Sequence, residues 1–209
     1  MAILLKKGSS GELVKQLQRA LNLIPDGIFG ALTEEAVKAF QKSKNLKQDG
    51  IVGDKTWELL PQPNYGFGGI LKQSKRNIKE IIVHCTGTPE GRMETVESIR
   101  NAHKAQGWSD IGYHYLIYLD GTIHVGRDVN IVGSHCVGHN TYSIGVCYVG
   151  GCDAKLKAKD TRTQAQKNAL LAVLKQLKAM YPKAKIYGHR DFSAKACPSF
   201  DATKEYKNI

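Results

Sequence analysis

Long apolar runs are missing from this 209-residue sequence. No segment approaches the roughly 20 consecutive apolar residues that a membrane-spanning helix needs. The opening residues, Met1-Ala-Ile-Leu-Leu-Lys-Lys, place their apolar side chains ahead of the charges with no apolar core behind them, the wrong layout for a secretory leader. Acidic residues are scarce, 19 Asp plus Glu against 30 Lys plus Arg, and the net charge of +11 points to polyanionic partners: nucleic acid, anionic lipid or acidic wall polymers. Aromatic residues make up only 8% and do not interleave with the cations as stacking platforms would, which makes nucleic acid the weakest of these. Proline is sparse, 6 residues against 21 glycines, and with 42% hydrophobic residues the composition excludes collagen-like and disordered chains. Cysteine is present in an odd number, five, in a sequence without an export signal; residues 85, 136, 147, 152 and 197 are therefore expected to be free thiols or metal ligands.

The length admits one large domain or two modest ones, and the charge is uneven. Residues 1–60 carry nine basic and seven acidic side chains, so most of the excess lies in the remainder. The first sixty residues hold an internal repeat: Asp26-Gly-Ile-Phe-Gly with Thr33 recurs as Asp49-Gly-Ile-Val-Gly with Thr56, a shift of 23 throughout. Each copy reads as a turn followed by a helix, because Asp-Gly tolerates positive φ. Leu13, Leu17, Ala20 and Leu21, then Ala36, Val37 and Phe40, fall at helical spacing. The expectation is a small all-α module of three helices over residues 1–60, followed by a breaker-rich linker over 61–77 whose core is Pro61-Gln-Pro-Asn-Tyr-Gly-Phe-Gly-Gly.

The series Gly11-x-x-Val14-x-x-Leu17-Gln18-x-x-Leu21, Asp26-Gly27-x-Phe29-Gly30-x-x-Thr33-x-x-Ala36-Val37-x-x-Phe40-Gln41 and Asp49-Gly50-Ile51-Val52-Gly53-x-x-Thr56-Trp57 resembles the small helical peptidoglycan-binding module of bacterial wall hydrolases.

Residues 78–209 alternate strands and helices. Glu80-Ile-Ile-Val-His-Cys is a short β-branched run suited to a strand buried on both faces and ending at His84. Met93–Gln106 reads as a helix, Tyr113–Leu119 and Thr122–Gly126 as a hairpin around Asp120-Gly121, and Ser143–Val149 as another strand. Thr163-x-x-Gln166 is a capping box that opens a long helix with Leu170, Leu174, Leu177 and Tyr181 inward. The fold class expected is an α/β domain, a mixed sheet flanked by helices, behind the all-α module. His189 and Cys197 near the C-terminus are borderline-soft ligands suited to zinc; two ligands do not define a site, and His84 at a strand end is the candidate third. The remaining cysteines read as packing or surface thiols, and His103, His114, His124 and His139 as structural or solvent-facing. Lys and Arg dominate residues 155–185, which reads as a solvated helix face.

Ile82-Val83-His84-Cys85, Gly107-Trp108-x-Asp110-x-Gly112-Tyr113-His114, Gly126-Arg127-Asp128, Gly133-Ser134-His135, Ser143-Ile144-Gly145-Val146-Cys147 and His189-x5-Lys195-x-Cys197-Pro198-Ser199 resemble the zinc-dependent N-acetylmuramoyl-L-alanine amidases of phage endolysins, a fold shared with animal peptidoglycan recognition proteins. The resemblance implies one Zn2+ held by His84, His189 and Cys197 with water in the fourth place. It implies a catalytic pair of Tyr113 and Lys195, and a motif loop that brings His135 to the substrate groove. It also implies a monomer made in a bacterial host cytoplasm, with peptidoglycan as its partner, reaching the wall after the membrane is breached. Two rivals share the fold: a non-catalytic peptidoglycan receptor, which typically lacks the cysteine ligand, and a cytoplasmic wall-recycling amidase, which needs no polymer anchor.

Overall fold

The computed structural model describes residues 4–21, 23–60 and 70–209. The chain divides into two compact units, Met1–Gly66 and Phe67–Ile209. The linker reading of residues 61–69 lies outside the described residues.

The first unit contains α1 (Glu12–Ala20), α2 (Ala31–Ser43) and α3 (Asp54–Leu59). Leu17, Ala20 and Val37 join Leu5, Phe29, Val52 and Trp57 in one core, with Leu13, Leu21 and Phe40 packed on its margin, so the helical periodicity reports burial directly. An antiparallel bridge between Leu5 and Val52 ties the start of the module to its second repeat.

The repeat has a physical cause. The buried Gln18 side chain accepts from Gly27 N–H (2.9 Å) and donates to Asp26 Oδ1 (2.7 Å), Ile28 O (3.0 Å) and Thr33 Oγ1 (3.0 Å). Twenty-three residues on, Gln41 accepts from Gly50 N–H (3.0 Å) and donates to Asp49 Oδ1 (3.0 Å), Ile51 O (2.9 Å) and Thr56 Oγ1 (3.5 Å). Each glutamine thus fastens the turn that follows its own helix, leaving few of its polar atoms unsatisfied in a buried place. Gly27 and Gly50 stand at φ +81° and +70°, where an L side chain is strained. Asp26 and Asp49 are held below the usual carboxylate range, chiefly by the backbone N–H groups of Ile28 and Ile51.

The second unit is built on a five-stranded mixed sheet in the order β4-β3-β5-β1-β7, comprising β1 (Glu80–Cys85), β3 (Tyr115–Ile117), β4 (Ile123–Val125), β5 (Ser143–Tyr148) and β7 (Lys185–Gly188). β3, β5, β1 and β7 are parallel, and β4 closes one edge antiparallel to β3. A separate parallel pair joins β2 (Thr88–Pro89) to β6 (Gly151–Cys152). Central β5 is buried at every residue and β1 at all but its first, as expected of parallel strands covered on both faces.

Helix α4 (Val96–Ala105) packs Ile99 against Leu116 and Cys147. It starts later than the apolar spacing suggests, because Thr95 and Ser98 form a reciprocal capping box there. Helix α5 (Gln164–Met180) opens at the capping box read from the sequence, buries Leu170, Leu174 and Leu177, and sends Gln166 Nε2 to Val149 O (2.8 Å). A short α6 (Ala202–Glu205) follows the C-terminal loop. The hairpin strands are shorter than expected, since Asp120 Oδ1 accepts from both N–H and hydroxyl of Thr122 and gives the residues around Gly121 to the turn.

Residues 70–77, assigned to the linker on sequence, are instead fastened to the second unit. Leu71 is buried, Ser74 Oγ donates to Val129 O (2.8 Å), and Arg76 donates to Val129 O (2.8 Å) and Ser143 O (3.0 Å). These partners lie more than fifty residues away, so no local pattern announces them.

Candidate active site

Parallel pairing of β1 with β7 sets Val83 opposite Gly188. The next residue of each, His84 and His189, therefore emerges side by side at the C-terminal strand ends, where open α/β sheets place functional groups. Their ring centroids are 4.7 Å apart. Cys197 comes from the loop after β7, which is pinned where Tyr148 Oη donates to Pro198 O (2.7 Å), Arg190 N–H donates to Cys197 O (2.6 Å) and Ser199 Oγ donates to Gly151 O (2.7 Å). Cys197 Sγ then lies 3.8 Å from His84 Nδ1 and accepts from Cys85 N–H (3.3 Å).

Ligand atoms of His84, His189 and Cys197 lie within 4.8 Å of one another, the arrangement of a metal-holding triad among the described residues. The donor set, two imidazoles and a thiol with no carboxylate, suits zinc rather than a hard cation. The 3.8 Å span between His84 Nδ1 and Cys197 Sγ is close to the ~3.6 Å that bond lengths of ~2.0–2.1 and ~2.3 Å give for two ligands of a tetrahedral zinc.

Burial holds the His84 imidazole well below its ordinary range, with the neighbouring His189 adding to the effect. His189 is lowered by burial and then by the charge of Lys195. Both therefore present neutral nitrogen lone pairs at neutral pH, the form in which histidine binds metals. The neighbouring Cys197 side chain lowers the Cys85 thiol below its ordinary range. The five cysteines are free, without disulfides.

Tyr113 packs against His84, ring centroids 5.2 Å apart, and burial pushes its hydroxyl above the ordinary phenol range. Lys195 is exposed on the loop two residues before Cys197. A cavity of about 190 Å³ adjoins Tyr113, lined by Thr86, Thr88, Glu94, His103 and residues of α4. Sequence reasoning did not find these lining residues, because they come from a loop and a helix face whose polar side chains read locally as solvent-exposed.

His135 is placed differently from its expectation. It is buried, 7% exposed, behind His84 rather than open to a groove. Its Nδ1 lies 3.0 Å from His84 Nε2 and its Nε2 3.4 Å from Ser143 Oγ. His114 is structural: Nδ1 accepts from Gly145 N–H (2.9 Å), Nε2 lies 3.0 Å from Ile131 O, and Arg76 Nη2 approaches at 3.1 Å. His103 likewise uses Nδ1 to accept from Gly112 N–H (3.0 Å), and His139 contacts Glu80 (2.8 Å).

The family model described as N-acetylmuramoyl-L-alanine amidase matches residues 74–200, over half of the chain and the whole of this site. The chain belongs to the N-acetylmuramoyl-L-alanine amidase family. The model described as "Putative peptidoglycan binding domain" matches residues 10–60 of the amidase. An endolysin of Enterobacteria phage K11 is 46% identical over 133 residues, 64% of this chain and 88% of the relative, and an endolysin of Klebsiella phage KP32 is 46% identical over 127 residues, 61% and 84%. Among solved structures, the amidase LysC from Clostridium intestinale aligns with a TM-score of 0.54 at 32% identity, covering 62% of this chain and 82% of that one. No helix of the described residues is long and apolar enough to cross a membrane.

Proposed function

We propose that this amidase is a modular endolysin that uses a single zinc ion, held by His84, His189 and Cys197, to hydrolyse the amide between N-acetylmuramic acid and L-alanine in peptidoglycan. The observation that carries the reading is the convergence of those two neutral imidazoles and one thiol within 4.8 Å. The presence of Cys197 favours the catalytic reading over that of a receptor. A zinc ion in this setting supplies an acidified water and Lewis acidity toward the amide carbonyl.

The chain's own residues do the rest. Lys195 brings an ammonium to the side where negative charge develops on the carbonyl oxygen, an interaction stronger in the transition state than in the ground state. Tyr113, held protonated by burial beside His84, serves as a hydrogen-bond donor that orients water or the departing amine. The cavity beside Tyr113 accepts the stem peptide. Residues 1–60 hold the enzyme on the polymer, raising its effective concentration on an insoluble substrate.

The test is the group released from purified peptidoglycan with zinc and after chelation. New L-alanine amino termini without new reducing sugar ends, abolished by chelator and restored by zinc, are expected. Reducing ends instead would assign the cleavage to a different bond, and binding without release would favour the receptor.

A further inference from the structure

We infer that His135 is a positioning residue, one that fixes the tautomer and orientation of His84 so that its Nδ1 lone pair faces the metal site. The inference rests on the zinc reading above, and it gives a role to a buried imidazole that the catalytic chemistry leaves unused.

Three observations converge. First, His84 has two ring nitrogens with different neighbours: Nδ1 faces Cys197 Sγ (3.8 Å) and Nε2 faces His135 Nδ1 (3.0 Å). A neutral imidazole carries one proton, and Nδ1 can ligate only if that proton is on Nε2. His135 Nδ1 must then be the acceptor, so the His135 proton sits on Nε2, where Ser143 Oγ receives it at 3.4 Å. The chain Nε2–H of His84, Nδ1 of His135, Nε2–H of His135 and Ser143 Oγ is consistent in only this direction when Nδ1 of His84 is a ligand.

Second, the ring occupies a slot made for it. A Cβ at Gly145 would stand 2.7 Å from His135 Cγ and Cδ2, and one at Gly133 would stand 2.5 Å from Cδ2. Gly145 lies in buried β5 and neither glycine adopts positive φ, so what the two positions require is room for the imidazole rather than a special backbone. Third, the neighbour behind His135 is itself fixed. His114 packs edge-on to it at 5.5 Å and is oriented by Gly145 N–H and Ile131 O. His135 therefore has little freedom to rotate away from His84.

Ligand histidines whose second nitrogen is so engaged bind metal more tightly, and loss of such a partner typically costs 10–100-fold in affinity. The test uses the full-length protein and zinc in competition with a chromophoric chelator. His135→Leu, of similar bulk with no acceptor, is expected to weaken zinc binding about 10–100-fold. His135→Asn, whose Oδ1 can accept from His84 Nε2, is expected to restore most of it. Cobalt substitution adds a spectroscopic readout: the d–d bands of His135→Leu should shift while those of His135→Asn stay near wild type. Equal zinc affinity and unchanged bands in His135→Leu would overturn the inference while leaving the zinc reading intact; no zinc bound by the wild type would overturn both. Should His135→Leu fail to fold, imidazole nitrogen NMR of the zinc-loaded wild type decides. A proton on Nε2 of both His84 and His135 is expected, and a proton on Nδ1 of His135 would overturn the assignment.

Discussion

Cys197 and Lys195 are two residues apart on one loop, yet they are expected to fail in different ways. Cys197→Ser removes a ligand atom from the triad and should lose most bound zinc together with activity. Lys195→Ala leaves all three ligand atoms in place and should keep zinc while turnover falls about 10²–10³-fold, the usual cost of removing one group that stabilises an oxyanion. Zinc content and turnover on the same preparations check this, and normal turnover in both variants would remove the proposed mechanism. His114 gives a pH signature. Burial lowers its pKa to about 4, so between that value and ~6.5 the unfolded chain binds the proton and the folded chain does not. The stabilisation is present above ~6.5 and lost as pH falls toward 4. From this residue alone, unfolding free energy is expected to be about 2 kcal/mol lower at pH 5 than at pH 7, as measured by urea titration of the metal-free protein.

At the scale of elements, the two turns of the N-terminal unit make a matched pair. Gln18→Ala and Gln41→Ala each strip a buried hub of four hydrogen bonds. Each is expected to destabilise that unit by about 2–3 kcal/mol, since the groups left behind lose buried partners. Hydrogen exchange locates the effect: the Gly27 amide should lose protection in the first variant and the Gly50 amide in the second. The repeat was readable from the Asp-Gly spacing and both glutamines stand in the resembled series, but their role as hubs was not legible until the turns folded back on them. The strands show the same division. β1 announced itself by β-branched residues and α5 by its capping box, whereas residues 70–77 were given to the linker because their partners, Val129 and Ser143, are distant in sequence.

For the whole molecule, the proposed function assigns binding to the first unit and cutting to the second. Deleting residues 1–60 is expected to lower activity on intact sacculi by tenfold or more, an estimate below the roughly 10²–10⁴ that linked sites can contribute. Activity on a soluble muropeptide should remain within about twofold, since no avidity term acts there. Turbidity clearing of sacculi beside hydrolysis of the soluble substrate measures the two arms; an equal fall in both would mean that the first unit supports the fold of the second.

The sequence by itself determined the two-part organisation, the element types, and the residue kinds that meet at the site, because apolar period, capping boxes and Asp-Gly turns are local and His and Cys carry their chemistry in their side chains. Tertiary structure decided where each histidine sits. His84 and His135 are both single histidines in short motifs, and only the pairing of β1 with β5 and β7, together with the two glycines at 133 and 145, brings one beside His189 and Cys197 and seats the other against its far nitrogen. A side chain's role depends on which lone pair faces which neighbour, and that is set by contacts between residues far apart in the chain.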